Sequence, residues 1–255
     1  MEEEIEVNKS DEDFSNSILS EFGSSTNESH RHLCIAVGSI SEVIKTQNLP
    51  SSPVVYLAYT LSSLTIISNG ANPVPISDNI LFDVFLKLLS LVIVKVPVDV
   101  VRKTRESSSQ LIATVIVFPS ISETAVVDGF KCLEHLFNNG EEDIVLPSHD
   151  SPLFNVLSKF LTDSRPHVRR QCHLCLRNIL INFQKSPLLG SASESVINLL
   201  EKVPLLAGGA NANADEGTKG AQQVLYILDA LKECLPLLSL KYKNNILKHF
   251  KCKCW

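Results

Sequence analysis

The chain has 255 residues, of which 44% are hydrophobic, so it can bury a substantial core without needing disulfides or a structural metal. Its net charge of −5 is unevenly distributed: residues 1–30 contain nine acidic residues and one Lys, whereas the remainder carries 22 basic and 19 acidic residues. The body of the chain is therefore mildly basic. Seven Cys without a paired framework, and without a signal peptide, indicate free thiols in a reducing compartment.

The start of the chain lacks the basic and apolar regions of a secretory signal and is too acidic for an organellar transit peptide. The most apolar run, residues 80–96, contains Asp83, Lys87 and Lys95. Its uncharged core, residues 88–94, is much shorter than the roughly 20 residues that a membrane span requires. We therefore expect a buried helix there and no contact with a membrane.

Residues 1–27 are rich in Glu, Asp, Ser and Asn, and we expect them to form a disordered acidic leader. The pattern becomes helical from His30 and stays so to Pro50. A second helix is framed by Ser51, by Pro53 at its first position and by Gly70 just past its end. We expect these two helices to form an antiparallel pair at the start of a helical repeat domain spanning residues 28–251.

Three more helices are predicted before residue 140. Ser77 or Asp78 begins a helix that is apolar on nearly all sides and runs to Lys95, which predicts a central position in the stack. Pro97 opens a helix over residues 98–117. The capping-box spacing of Ser120 and Glu123 opens the third, which ends at residues 138–140.

Residues 163–185 show the clearest helical pattern in the chain. Asp163 or Ser164 can cap this helix and Pro166 lies in its first turn. One face is apolar, with Val168, Cys172, Cys175, Leu176, Ile179, Leu180 and Phe183. The pattern resembles the second, inner helix of HEAT repeats, whose period is roughly 40–47 residues. A short helix from Ser151 to Thr162 completes the pair.

The end of the chain is more irregular. Ser191 and Glu194 match a capping box, residues 207–217 are small and polar and predict a flexible loop, and a helical stripe resumes up to Pro236. A basic helix is expected from Leu240 to about Phe250, followed by a frayed tail over residues 252–255. A terminal repeat normally has a polar cap, so we expect the chain to be cut short here.

Few residues in this sequence suggest chemistry. Cys172 and Cys175 have Cys-x-x-Cys spacing with His167 and His173 nearby, but both lie on the apolar stripe and no second ligand cluster exists, so packing is favoured over a metal or a redox site. His135 beside Glu134 is expected on a solvated surface rather than as a general base. No phosphate-binding loop or nucleophile elbow is found. We therefore expect no enzyme activity and no cofactor.

Basic side chains are the remaining functional candidates, because Lys and Arg neutralise phosphates or an acidic partner. Residues 155–185 contain six basic residues and only Asp163 as an acid. The alternative is a solvated face with an Asp–Arg ladder between helices, which the absence of interleaved aromatic residues favours. The candidate contact residues are Arg102, Lys103, Arg105, Arg165, Arg169, Arg170 and Arg177.

Three stretches, residues 33–56, 161–170 and 235–243, together resemble the N-terminal HEAT-repeat region of the ribosomal RNA-processing protein 12 family, plant type. The resemblance implies an all-α fold, a right-handed α-α superhelix of the HEAT/armadillo-like solenoid kind. It also implies a nuclear and nucleolar scaffold, shuttling to the cytoplasm, that serves pre-ribosome maturation and export. Pre-ribosomal proteins and pre-rRNA would be its partners, with no small-molecule substrate. The alternative is a protein-only adaptor that resembles importin-like receptors and binds a peptide or a GTPase.

Overall fold

The computed structural model describes residues 14–69, 79–119, 121–138, 152–184, 186, 189–201 and 214–244. Within these ranges the chain is helical and contains no strand, as expected for an all-α fold. The α-helices are α1 (Phe14–Phe22), α2 (Glu28–Thr46), α3 (Pro53–Asn69), α4 (Asn79–Val92), α5 (Val98–Val115), α6 (Glu123–Asn138), α7 (Pro152–Phe160), α8 (Pro166–Phe183), α9 (Leu189–Glu201) and α10 (Ala214–Cys234). The chain divides into two compact units, a first unit up to Cys132 and a second unit from Leu133.

Helix α1 corrects the expected disordered leader. Phe14, Ile18 and Phe22 recur every four residues and therefore share one face of a helix. Ile18 is buried, the ring of Phe14 lies 5.0 Å from that of Tyr56, and the ring of Phe22 lies 4.8 Å from that of His30. The polar composition of residues 1–27 concealed this short apolar stripe. The first 13 residues of the expected leader lie outside the described residues.

The helices of the first unit pack in the order of a helical repeat. Helix α2 packs mainly against α1 and α4, and α3 packs against α4 and α5. The expected pairing of α2 with α3 is therefore only a minor contact, because the buried stripe of α2, which includes Leu33 and Val37, is covered by α1 and α4. The pairs along the chain are α1 with α2 and α3 with α4.

Helix α4 is the central element of the first unit, as its composition predicted. Its buried side chains are Phe82, Val84, Leu86, Leu88, Leu89 and Val92, and a 3-10 turn from Ile93 to Lys95 extends it. None of the helices within the described ranges is long and apolar enough to cross a membrane.

The start of α6 shows how closely the last helices of the first unit approach. The hydroxyl of Ser122 accepts a hydrogen bond from the N–H of Ala125 at 3.1 Å, so Ser122 caps the helix, whereas the expected cap Ser120 lies outside the described residues. A Cβ at Gly129 would lie 2.4 Å from the Ile116 side chain. Glycine is therefore required where α6 crosses the end of α5.

Helix α8 is the central element of the second unit. It packs against α7, α9 and α10, and all seven residues of its predicted apolar stripe are buried. The predicted pair of α7 and α8 is confirmed. Asp163 does not cap α8 through the helix N–H groups that a cap normally binds, because its carboxylate is engaged by Arg165.

Two hydrogen bonds between polar side chains at the same sequence spacing indicate a repeat in the second unit. Asn178 donates to the carboxylate of Glu134 at 2.7 Å, and Asn182 donates to Asn138 at 2.5 Å, each across 44 residues. Since HEAT repeats have a period of roughly 40–47 residues, α6 and α8 occupy equivalent positions in successive repeats. Each of these two hydrogen bonds also gives polar side chains at the helix surface a partner.

The remaining boundaries of the second unit differ from the sequence expectations by a few residues. Helix α9 begins at Leu189, so Ser191 lies inside the helix and is not its cap. The backbone carbonyl of Ser191 accepts a hydrogen bond from the hydroxyl of Ser195. Helix α10 begins at Ala214, so the last four residues of the expected loop 207–217 are helical. Residues 240–244 are helical, and the expected remainder of that helix and the tail 252–255 lie outside the described residues.

We predict that Val168→Asp destabilises the second unit, because Val168 is fully buried and an aspartate there would be a charge without a partner. The expected cost is about 3–5 kcal/mol of unfolding free energy. The matched control is Leu225→Asp on α10, where the Leu side chain is 57% exposed. Thermal melts followed by circular dichroism should show a large loss of melting temperature for the first variant only, and equal melts would contradict the assignment of the α8 core.

Candidate functional site

The seven basic residues predicted to contact a partner fall into two clusters, one in each compact unit. Arg102, Lys103 and Arg105 lie on α5 in the first unit, and Arg165, Arg169, Arg170 and Arg177 lie on or just before α8 in the second.

The α5 cluster lies in the first two turns of its helix. Arg102 forms an ion pair of 3.4 Å with Asp99, one turn earlier, and the Asp99 side chain is 81% exposed, so the pair contributes little to stability. Lys103 is exposed. Burial, and to a lesser degree the charge of Arg102, lowers the pKa of Arg105. The exposed ammonium of Lys103 is the member of this cluster most accessible to an anion.

Arg165 is held by Asp163 in a forked contact. Its Nε donates to Oδ1 and its Nη2 to Oδ2 of the carboxylate, both at 2.9 Å, and its backbone N–H also donates to Oδ1 at 2.9 Å. Burial alone would raise the pKa of Asp163, but these hydrogen bonds and the charges of Arg165 and Arg169 outweigh it, so the pKa is lowered. The pair fixes the turn that leads into α8.

Arg169 connects that turn to α10. Its Nη1 donates to the backbone carbonyl of Asp163 at 2.7 Å, and its guanidinium lies 3.6 Å from the centre of the Tyr226 ring. The second contact has the geometry of a cation–π interaction. Arg165 and Arg169 therefore have partners within the protein, but Asp163 and Arg165 lie in the same turn, so their contact is not an Asp–Arg ladder between neighbouring helices.

Arg170 and Arg177 lie one heptad apart on the solvent side of α8. Arg170 is exposed, and Arg177 is half-buried with its Nη1 at 3.5 Å from the side-chain oxygen of Asn178. Acidic residues of neighbouring helices lie close to α8, because Glu134 bonds Asn178 and the charges of Asp229 and Glu233 act on His173. The α8 surface is thus mixed in charge rather than uniformly basic.

The Cys-x-x-Cys pair lies in the core. Cys172 and Cys175 are fully buried, and the thiol of Cys172 donates to the carbonyl of Leu157 at 3.4 Å. Burial raises the pKa of both thiols well above the usual range and raises that of Cys234 to about 12, so these cysteines stay protonated. Among the described residues no group of three or more His, Cys, Asp or Glu could hold a metal ion.

The nearby histidines differ in environment. His173 is buried with its Nε2 at 3.4 Å from the carbonyl of Leu161, and burial lowers its pKa. His167 is exposed at the start of α8. In the pair considered as a general base, Glu134 is a hydrogen-bond acceptor for Asn178 and thereby part of the contact between α6 and α8. Of these side chains, Glu134 contacts α8 and His173 contacts the turn before α8, whereas His167 faces solvent.

Two important residues were absent from the sequence predictions. Asn178 could have been found from its spacing of 44 residues to Glu134, had the repeat period been applied to polar residues. Tyr226 carried no local signal, because its contact with Arg169 joins residues 57 positions apart and depends on how α10 packs against α8.

A family model described as RRP12-like, N-terminal HEAT repeats, matches residues 1–252 of the chain. No curated protein and no solved structure matches it. The matched range includes the first compact unit, all but the last three residues of the second, and every helix described above.

We predict that Asp163→Asn lowers the unfolding free energy at pH 7 by about 1 kcal/mol, a small value for a charged hydrogen bond because Arg165 is 32% exposed. The matched control Asp99→Asn, with its single exposed contact, should change stability little. Because folding lowers the pKa of Asp163 below its ordinary value of 3.8, the stabilisation is complete above that pH and is lost as the pH falls through the lowered pKa. Urea melts of both variants between pH 2 and pH 7 would measure this, and a difference that persists undiminished at the lowest pH would contradict it.

Proposed function

The chain belongs to the family of RRP12-like N-terminal HEAT repeats, and we propose that it acts as a non-enzymatic scaffold in ribosome biogenesis. Membership confirms the resemblance and the HEAT-type solenoid fold class that were drawn from the sequence. The observation that carries the proposal is the length of the match. It covers residues 1–252 of 255, far more than the signature of one repeat.

The contacts of the polar side chains support a scaffold role. The hydrogen bonds of Asn178 and Asn182, and the cation–π contact of Arg169 with Tyr226, join neighbouring helices of the second unit. The buried thiols have raised pKa values, which makes them poor nucleophiles. Helices packed in this way offer their outer faces to partners while their interior groups are engaged in packing.

We further propose that the protein works in the nucleus and nucleolus, and that pre-ribosomal proteins and pre-rRNA are its partners. Lys103 and Arg170 are the exposed cations of the two clusters and are the side chains that we expect to meet phosphates. Arg165 and Arg169 contribute indirectly, since they hold the turn before α8 in place. Such contacts would depend little on the RNA sequence, because the cations bind the phosphates of the RNA backbone and not the bases.

The proposed function can be tested in cells in which the natural copy is replaced by a tagged one. We expect the tagged protein to co-sediment with pre-ribosomal particles, and its depletion to cause pre-rRNA intermediates to accumulate. Val168→Asp should fail to restore processing because it unfolds the second unit, whereas Ile66→Asp should restore it because the Ile66 side chain is 73% exposed. Normal pre-rRNA levels after depletion would overturn the proposal.

Direct binding to RNA can be tested by a salt titration with purified protein. Each phosphate contact contributes a slope of roughly −0.7 to a plot of log affinity against log salt for single strands. The double variant Lys103→Gln/Arg170→Gln should therefore weaken binding and reduce the slope by about 1.4. The matched control Lys95→Gln/Lys159→Gln also removes one exposed cation from each unit and should bind as the wild type does. Absence of any binding by the wild type would favour a protein-only adaptor.

A further inference from the structure

The outer surface of α2 carries a regular stripe of residues that is not part of the buried core of the first unit. Six residues recur at alternating spacings of three and four, which places them along one line of the helix, as at the a and d positions of a coiled coil. Five are exposed and the glycine is half-buried: Glu28, Arg31, Ile35, Gly38, Glu42 and Lys45. The buried stripe of α2, which packs in the first unit, consists of other residues: Leu33, Val37, Ile40 and Ile44.

Two features at the centre of this stripe are unfavourable for an isolated chain. Ile35 is 63% exposed. Gly38 lies in the middle of a 19-residue helix, where glycine costs about 1 kcal/mol relative to alanine. A Cβ at Gly38 would meet no atom of the described residues within 4 Å, whereas at Gly129 it would lie 2.4 Å from Ile116. Packing within the described part of the chain therefore explains Gly129 but gives no reason for glycine at position 38.

The stripe is complementary to itself when a second copy lies antiparallel to it. A two-fold axis between Ala36 and Val37 pairs residues of the two copies that lie equally far along the sequence from this axis, one before it and one after it. Ile35 then faces Gly38, Arg31 faces Glu42, and Glu28 faces Lys45, and each pair occurs twice. No salt bridge in the described part of the chain uses any of these four charges.

We propose that the protein forms a symmetric dimer through antiparallel contact of α2 with α2 of a second copy. The side chain of Ile35 enters the space above Gly38 of the partner, where the missing Cβ allows the two helices to approach closely. Four ion pairs flank this apolar centre and set both the direction and the register. A two-fold axis makes such a contact close on itself, so the assembly ends at two copies.

The charges of the stripe distinguish a second copy from other occupants. Two acids and two bases give it no net charge, so it does not attract a nucleic acid backbone or an anionic membrane. A single helix pair also buries less surface than the roughly 1,200–2,000 Å² of a stable interface. The dimer is therefore weak and forms with increasing protein concentration.

Charge reversal and mixing test this arrangement in the full-length chain. Sedimentation equilibrium over a concentration series should show a monomer–dimer equilibrium for the wild type. Arg31→Glu and Glu42→Arg should each raise the dissociation constant by about tenfold or more, because each places two pairs of like charges in contact. An equal mixture of the two variants should form a heterodimer, since every pair of charges is then complementary. The double variant should dimerise as the wild type does.

The controls carry the same charge changes elsewhere in the first unit. Lys95→Glu and Glu106→Arg, both at exposed positions, should leave the dimer intact, and Gly38→Leu should abolish it by filling the space for Ile35. Circular dichroism should show unchanged helicity for the charge variants. A chain that stays monomeric at all concentrations would overturn the proposal, and so would a dimer that survives both single reversals or variants that fail to associate when mixed.

Discussion

Burial of the apolar stripe of α8 is the constraint on which the second unit depends. Three neighbouring helices, α7, α9 and α10, cover it, and no single one could bury seven side chains alone. The use of cysteine at two of these positions follows from the same constraint, because a small apolar side chain lets helices approach closely. The Cys-x-x-Cys spacing is thus a consequence of helical packing.

Hydrogen bonds between polar residues then fix the register of neighbouring helices. An apolar stripe tolerates sliding, whereas a hydrogen bond such as that between Asn178 and Glu134 holds only at one register. The stacking of Arg169 on Tyr226 acts in the same way between α8 and α10, and the forked contact of Asp163 with Arg165 holds the turn between α7 and α8. Arginine suits this purpose because its planar guanidinium can bind a carboxylate, a carbonyl and an aromatic face.

The sequence predicted the elements whose signals are local and long. The stripe of α8, the proline in its first turn and the central position of α4 were all confirmed. Helix α1 was missed because nine residues are too few to stand out within a polar segment. The start of α9 was misplaced since Ser191 and Glu194 satisfy the spacing of a capping box from inside a helix. Partners such as Tyr226 depend on the packing of distant segments, which periodicity does not encode.

The functional candidates differ in whether the fold already uses their charges. Arg165 and Arg169 were selected from the sequence because they lie in a basic segment, yet each is bound within the second unit. The charges on the outer face of α2 were not selected, because their signs alternate and cancel in any count of net charge. Recognition by a repeat protein requires side chains that remain available after its helices have packed. For that reason the groups that its own contacts leave unengaged, Lys103 and Arg170 for phosphates and the α2 stripe for a second copy, are better guides to binding than the local density of basic residues.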